Sequence, residues 1–176
     1  MLIMRNVVLI GFMGTGKSRV GRLLASRLKR PYIDTDKKIE KGCGIPIPEI
    51  FQKYGESFFR TKEAAVIARV SRYTHSVIST GGGVVLSPEN MSRLRSNSVL
   101  ITLTASPQTI LERTGRRNNR PLINHPDREQ LIKKMLSERE LLYGASDLTI
   151  DTTNYTPHQV VDIIVTFLRE GGFLRG

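Results

Sequence analysis

The first hydrophobic block of the chain, Asn6-Val7-Val8-Leu9-Ile10-Gly11, is continuous rather than alternating and too short for a helix. A β-branched run of that length bounded by glycine predicts a strand buried on both faces, as in a parallel sheet. From about Lys17 to Leu28 the period changes. Val20, Leu23, Leu24, Ala25 and Leu28 fall on one face and Arg19, Arg22 and Lys29 on the other, which predicts an amphipathic helix. Further strands are predicted at 31–34, 76–80, 98–104 and 147–151. A helical pattern dominates between the second and third strands, breaks from Gly42 to Pro48, and resumes across 49–55 and 56–72. Four more helices are predicted at 88–95, 106–114, 127–144 and 156–171, each with Ser, Asp or Thr at or just before its start.

Strands alternating with helices need right-handed crossovers, so the expected class is α/β: three layers, a five-stranded parallel sheet and helices on both faces. Ligands on such sheets sit beyond the carboxyl ends of the strands. Residues 11–18, 34–36 and 81–83 are therefore expected to meet in one cleft. The 176 residues, 39% apolar, suit one domain spanning 1–176 with a sizeable core.

Composition narrows the setting. The single cysteine, Cys43, makes no internal disulfide, and three histidines without a Cys/His cluster leave zinc no ligand set. A reducing compartment is expected. The start, MLIMRNVVLIGFMGTG, places one Arg before an apolar run but has no A-x-A-type cleavage site and runs directly into GKS. No later run approaches the roughly 20 apolar residues needed to span a bilayer. The expectation is a soluble, cytoplasmic protein without a membrane partner, acting as a monomer. The net charge of +11 is densest at Arg113, Arg116, Arg117 and Arg120, in one glycine- and asparagine-bearing segment without interleaved aromatics. That placement predicts a loop, about 114–125, that closes over a small polyanion and excludes water, rather than a nucleic-acid surface.

Gly11-Phe12-Met13-Gly14-Thr15-Gly16-Lys17-Ser18 matches G-x-x-x-x-G-K-[ST], after a predicted strand and opening a predicted helix. Gly14, Thr15 and Gly16 would turn backbone amides around phosphate oxygens, and the helix N-terminus adds positive potential. Lys17 would reach the β- and γ-phosphates and the Ser18 hydroxyl would ligate Mg²⁺. The ligand read from this stretch is a nucleoside triphosphate. With no ordinary Walker-B strand, no NKxD motif and too little chain for a motor, a small kinase is the leading class.

Asp34 and Asp36 follow the second strand and are expected to point the same way at its end, where carboxylates orient metal-bound water, accept a hydroxyl proton, or simply cap a helix. Arg60 and Glu63 stand at i, i+3, a spacing that either fixes the guanidinium for a ligand or makes a surface ion pair. Gly81, Gly82 and Gly83 follow the third strand and let a ligand approach bare backbone.

Together GFMGTGKS, DTD, FFRTKE, TGGG, RPL, SERELLY and DTTNYTP, in order from residue 5 to about 168, strongly resemble the shikimate kinase family. The resemblance implies transfer of a phosphoryl group from MgATP to the 3-hydroxyl of shikimate. It implies that Asp36 holds substrate hydroxyls and is the candidate base, with Asp34 near the Mg²⁺ water shell. Arg60 and Arg139 would clamp the substrate carboxylate, Glu63 would orient Arg60, and Gly81 to Gly83 would line the pocket. Arg120 would arrive with the lid, and Arg113 and Pro157 would sandwich adenine. Another small-metabolite kinase, such as a gluconate kinase, would share the phosphate loop and lid but need not keep Arg60, Arg139 and TGGG together.

Overall fold

The computed structural model describes residues 5–115 and 126–174. In chain order the elements are β1 (Asn6–Ile10), α1 (Lys17–Leu28), β2 (Tyr32–Asp34), α2 (Thr35–Cys43), α3 (Ile47–Val70), β3 (Val77–Ser79), a 3-10 turn (Val84–Leu86), α4 (Pro88–Arg95), β4 (Ser98–Thr104), α5 (Pro107–Gly115), α6 (Arg128–Tyr143), β5 (Leu148–Asp151) and α7 (Pro157–Glu170). The five strands run parallel in the order β2-β3-β1-β4-β5. From β1 the chain moves first toward β2, and later crosses to β4 on the other side. That reversal opens a crevice at the carboxyl end of β1, where the glycine-rich loop begins.

Burial of both sheet faces follows from the period of two along each strand. Val7 and Leu9 of β1, Val77 of β3, and Val99, Ile101 and Leu103 of β4 pack against Val20 and Leu24 of α1 and Val161 and Ile164 of α7. Their neighbours Val8, Ile10, Ile78 and Leu100 face the opposite layer, with Ile67 of α3, Leu94 of α4, Ile110 of α5 and Ile132 of α6. The continuous apolar runs are thus two interleaved half-sets, one for each helical layer. Truncating a buried Leu or Ile in such a core costs about 2–5 kcal/mol.

Element ends have local causes. β1 stops at Ile10 because Gly11 takes φ 143°, and a Cβ there would run into the Leu103 carbonyl of β4. Ser87 caps α4 through the Asn90 amide, and Thr156 and Gln159 close a reciprocal capping box on α7. Asp127 stands at the N-cap of α6, where the sequence places it, although its side chain makes no cap hydrogen bond. The break predicted between residues 55 and 56 is a kink inside α3, where Gly55 adopts φ 80°. A third small cluster, Ile39, Ile50 and Phe59, ties α2 to both halves of α3, and through Phe59, with Phe51 packed beside it, contributes the outer wall of the cleft.

Candidate active site

The glycine-rich loop is pinned between β4 and α5. A Cβ at Gly14, which has φ 79°, would stand 2.9 Å from Thr114 Cγ2 of α5, so only glycine fits that turn. Gly16, at φ 99°, is the N-cap of α1, and Lys17 and Ser18 are its first two residues. No acidic side chain occupies the first turn of α1, which leaves its positive end available to an anion. Thr15 Oγ1 donates to the Phe12 carbonyl at 2.8 Å, and Lys17 Nζ donates to the same oxygen at 2.8 Å. The ammonium thereby lies across its own loop.

Asp34 is both the last residue of β2 and the N-cap of α2, so DTD leaves the strand at its first residue. Asp34 Oδ1 accepts the Lys37 amide at 3.2 Å, while Oδ2 accepts the Ser18 and Tyr32 hydroxyls, each at 3.4 Å. The capping and site-facing readings of Asp34 are satisfied by its two different oxygens. Asp36 lies in the first turn of α2 and its Oδ1 points at Gly81, where a Cβ would stand 2.8 Å away.

Across the cleft, Arg60 Nη1 donates to Glu63 Oε2 at 2.8 Å, and Nε and Nη2 donate to Glu56 Oε1 at 3.3 and 3.1 Å. The Glu63 side chain is only 2% exposed. Its burial pushes the carboxyl above the usual carboxylate range, against the pull of Arg60 and Arg139. Burial also opposes the charge on Arg60, but the Glu63 and Glu56 carboxylates outweigh it and raise the guanidinium pKa above its ordinary value. Gly83 carries no side chain because the Arg60 guanidinium fills that space, and Gly82 backs onto the Met13 amide. Arg139 is 6% exposed although its neighbours Glu138 and Glu140 face solvent. Its Nη1 donates to the Gly82 carbonyl at 3.3 Å and its guanidinium lies 5.6 Å from the Phe12 ring centre. Tyr143, one turn further along α6, donates to the same carbonyl at 2.6 Å, and burial raises its pKa.

At the opposite end Arg113 donates to the Gly14 carbonyl at 3.3 Å and to the hydroxyl and carbonyl of Thr152 at 3.0 and 2.9 Å. Pro157, the first residue of α7, lines the same opening.

Most of these groups border one cleft of about 1560 Å³. It takes in residues 13–18, Asp34, Asp36, Arg60, Glu63, Gly81 to Gly83, Arg113, Arg139 and Pro157, together with Phe51 and Phe59 from the outer wall. Arg120, with Arg116, Arg117 and the rest of 116–125, lies outside the described residues. Glu56, Tyr143 and Thr152 carry contacts to which the sequence reading gave no role. Tyr143 and Thr152 lie inside SERELLY and DTTNYTP, and the i, i+4 spacings of Glu56 with Arg60 and of Arg139 with Tyr143 were further signals.

Mg²⁺ takes hard oxygen ligands and keeps several waters. The Ser18 hydroxyl and the Asp34 carboxylate, 3.4 Å apart beside the phosphate loop, are a fitting partial set for an ion shared with phosphates. Among the described residues no group of three or more His, Cys, Asp or Glu forms a self-contained metal site. No helix among them is long and apolar enough to cross a membrane.

Residues 13–169 match the family model described as shikimate kinase. The shikimate kinase of Pelotomaculum thermopropionicum is 46% identical over 97% of this chain and 99% of its own length. That of Geobacter metallireducens is 45% identical over 93% of this chain and 92% of its own. Among solved structures, a shikimate kinase from Acinetobacter baumannii in complex with shikimate superposes with a TM-score of 0.92, at 34% identity over 95% of this chain and 94% of that one. A gluconokinase from Sinorhizobium meliloti has a TM-score of 0.63 at 19% identity over 96% of this chain and 93% of its own, a likeness of fold alone. With the matched model and these relatives spanning nearly its whole length, the chain belongs to the shikimate kinase family.

Proposed function

We propose that the cleft transfers the γ-phosphoryl group of MgATP to the 3-hydroxyl of shikimate, giving shikimate 3-phosphate and ADP. The observation that carries this reading is the placement of two arginines on the same glycine triplet. Arg60 covers Gly83 and Arg139 holds the Gly82 carbonyl, while Asp36 faces Gly81. A carboxylate seated between two guanidiniums, with a hydroxyl against a carboxylate oxygen one residue away, describes a hydroxy acid such as shikimate.

The phosphate side supplies positioning and charge rather than covalent chemistry. Gly14 to Lys17 offer amides to the phosphates, and Lys17 exchanges the Phe12 carbonyl for phosphate oxygen. Ser18 and Asp34 would hold Mg²⁺, directly and through water. When bound, the ion neutralises charge on the β- and γ-phosphates. Asp36 orients the acceptor hydroxyl and takes its proton as that oxygen bonds to phosphorus and the bridging oxygen departs with ADP. Glu63 keeps Arg60 turned toward the substrate carboxylate. Arg113 and Pro157 face the two sides of adenine. Arg120 is assigned, on its motif, to charge on the transferring group.

The test is a coupled assay of ADP release from MgATP with shikimate, gluconate, a nucleoside monophosphate or no acceptor. Release that depends on shikimate alone is expected. Release with gluconate, or with none of the acceptors present, would overturn the acceptor assignment.

A further inference from the structure

Thr152 follows β5 directly and is 3% exposed. Its hydroxyl meets three separate parts of the chain. It accepts from Arg113 Nη1 at 3.0 Å, and it lies 3.0 Å from the Thr15 carbonyl of the phosphate loop and 2.9 Å from the Thr104 carbonyl at the end of β4. A hydroxyl has one proton and two lone pairs, so the proton is shared between the carbonyls and a lone pair takes the guanidinium. The Thr152 carbonyl accepts the second prong, Arg113 Nη2, at 2.9 Å. One residue therefore receives two donors from one guanidinium, which fixes the plane of the fork as well as its position.

The receiving residue is itself immobilised. The Thr152 amide donates to the Thr104 carbonyl at 2.8 Å, Thr153 turns back on Asp151 Oδ1 through its amide and hydroxyl, and Thr153 Oγ1 accepts the Ser106 amide. The phosphate loop is less dependent on the hydroxyl. Without it the loop keeps the Thr15 Oγ1 bond to Phe12, the Arg113 bond to the Gly14 carbonyl and the close fit of Gly14 on α5.

We infer that Thr152 is a positioning residue for nucleotide recognition: it holds the plane of Arg113 at the base-binding end of the cleft. The inference rests on the reading of Arg113 as the residue that packs on the base of ATP. The consequence is selective. Loss of the Thr152 hydroxyl weakens ligands that carry a base and spares those that carry only phosphate.

Calorimetric binding of MgADP and of inorganic pyrophosphate to the full chain tests this with T152V, T152S, R113Q and the double variant T152V/R113Q. Valine keeps the shape of threonine and removes the hydroxyl. MgADP affinity is expected to fall about ten-fold or more in T152V, the scale of a lost hydrogen bond to a charged group. T152S should recover most of it, pyrophosphate affinity should stay at the wild-type level in T152V and T152S, and the double variant should bind MgADP no more weakly than R113Q. The Michaelis constant for shikimate should not move. Equal losses of MgADP and pyrophosphate in T152V, failure of T152S to recover, or multiplied losses in the double variant would overturn the inference. If R113Q weakens MgADP and T152V does not, the role of Thr152 falls and that of Arg113 stands. If R113Q binds MgADP like the wild type, the reading of Arg113 falls and takes this inference with it. Melting temperatures identify misfolding, and T152A carries the same comparisons should T152V not fold.

Discussion

Gly83 offers a clean steric test of the acceptor site. Its backbone sits at φ −96°, ψ 2°, a conformation open to alanine, so Gly83→Ala adds volume without backbone strain. The new Cβ would stand 2.7 Å from Arg60 Cζ. Carbon contacts relax at about 3.5–4.0 Å, so the guanidinium must retreat by about 1 Å. A shift of that size breaks or badly bends the 2.8 Å bond from Arg60 to buried Glu63. A hydrogen bond to a charged group contributes about 1.5–3 kcal/mol, and the clamp on the substrate carboxylate is displaced with it. That range corresponds to a rise of about 10- to 100-fold in the Michaelis constant for shikimate. The constant for ATP should change by no more than about two-fold, since the three atoms nearest the new Cβ all belong to Arg60 rather than to the phosphate loop. Gly42→Ala is the control. Among the described residues its Cβ would meet nothing within 4 Å, and it should be neutral or stabilise α2 by up to about 1 kcal/mol. Steady-state kinetics in both substrates, with melting curves for each variant, decide the matter. A Gly83→Ala enzyme with a wild-type Michaelis constant for shikimate would refute the argument that this glycine exists to seat Arg60.

Glu63 links the same clamp to pH. Its folded pKa lies above the unfolded value of 4.5, chiefly because it is buried, so it takes up a proton earlier on acidification than an exposed glutamate. By linkage its ionised form is a net cost to stability above the folded pKa, and that cost disappears as pH falls toward 4.5. The Michaelis constant for shikimate should therefore rise on acidification before ordinary carboxylates titrate, and Glu63→Gln should remove that component; an unchanged pH profile in the variant would exclude Glu63 as its source. Lys17→Ala should lower turnover by about 100- to 1000-fold, the scale of one preorganised donor to developing charge, with little change in the Michaelis constant for shikimate. Loss of shikimate binding in proportion would mean that Lys17 acts on folding of the cleft instead.

The strand-helix alternation, the phosphate loop and the order of the motifs were all legible along the chain, because each depends on residues close together. The apolar run Val7 to Ile10 predicts a doubly buried strand, and Gly14 and Gly16 predict backbone that only glycine tolerates. Pair interactions within one helix, such as Arg60 with Glu63, are likewise local enough to read.

What the tertiary structure decided is which of two reasonable roles each polar residue takes. The sequence left Asp34 as a cap or a site carboxylate, and only the approach of α1 to the end of β2 lets its two oxygens do both. The pattern around Arg139 suits a solvent-facing arginine between two glutamates. Its burial follows from α6 docking on the turn after Gly83, which brings the Gly82 carbonyl and Phe12 to it. Thr152 lies in the motif DTTNYTP, but its role is not legible there because its partners, Thr15, Thr104 and Arg113, are between 39 and 137 positions away along the chain. Hydrophobic period and turn chemistry are local and survive in one dimension; the partner of a buried polar atom is set by packing, and exists only once the sheet has closed the distance.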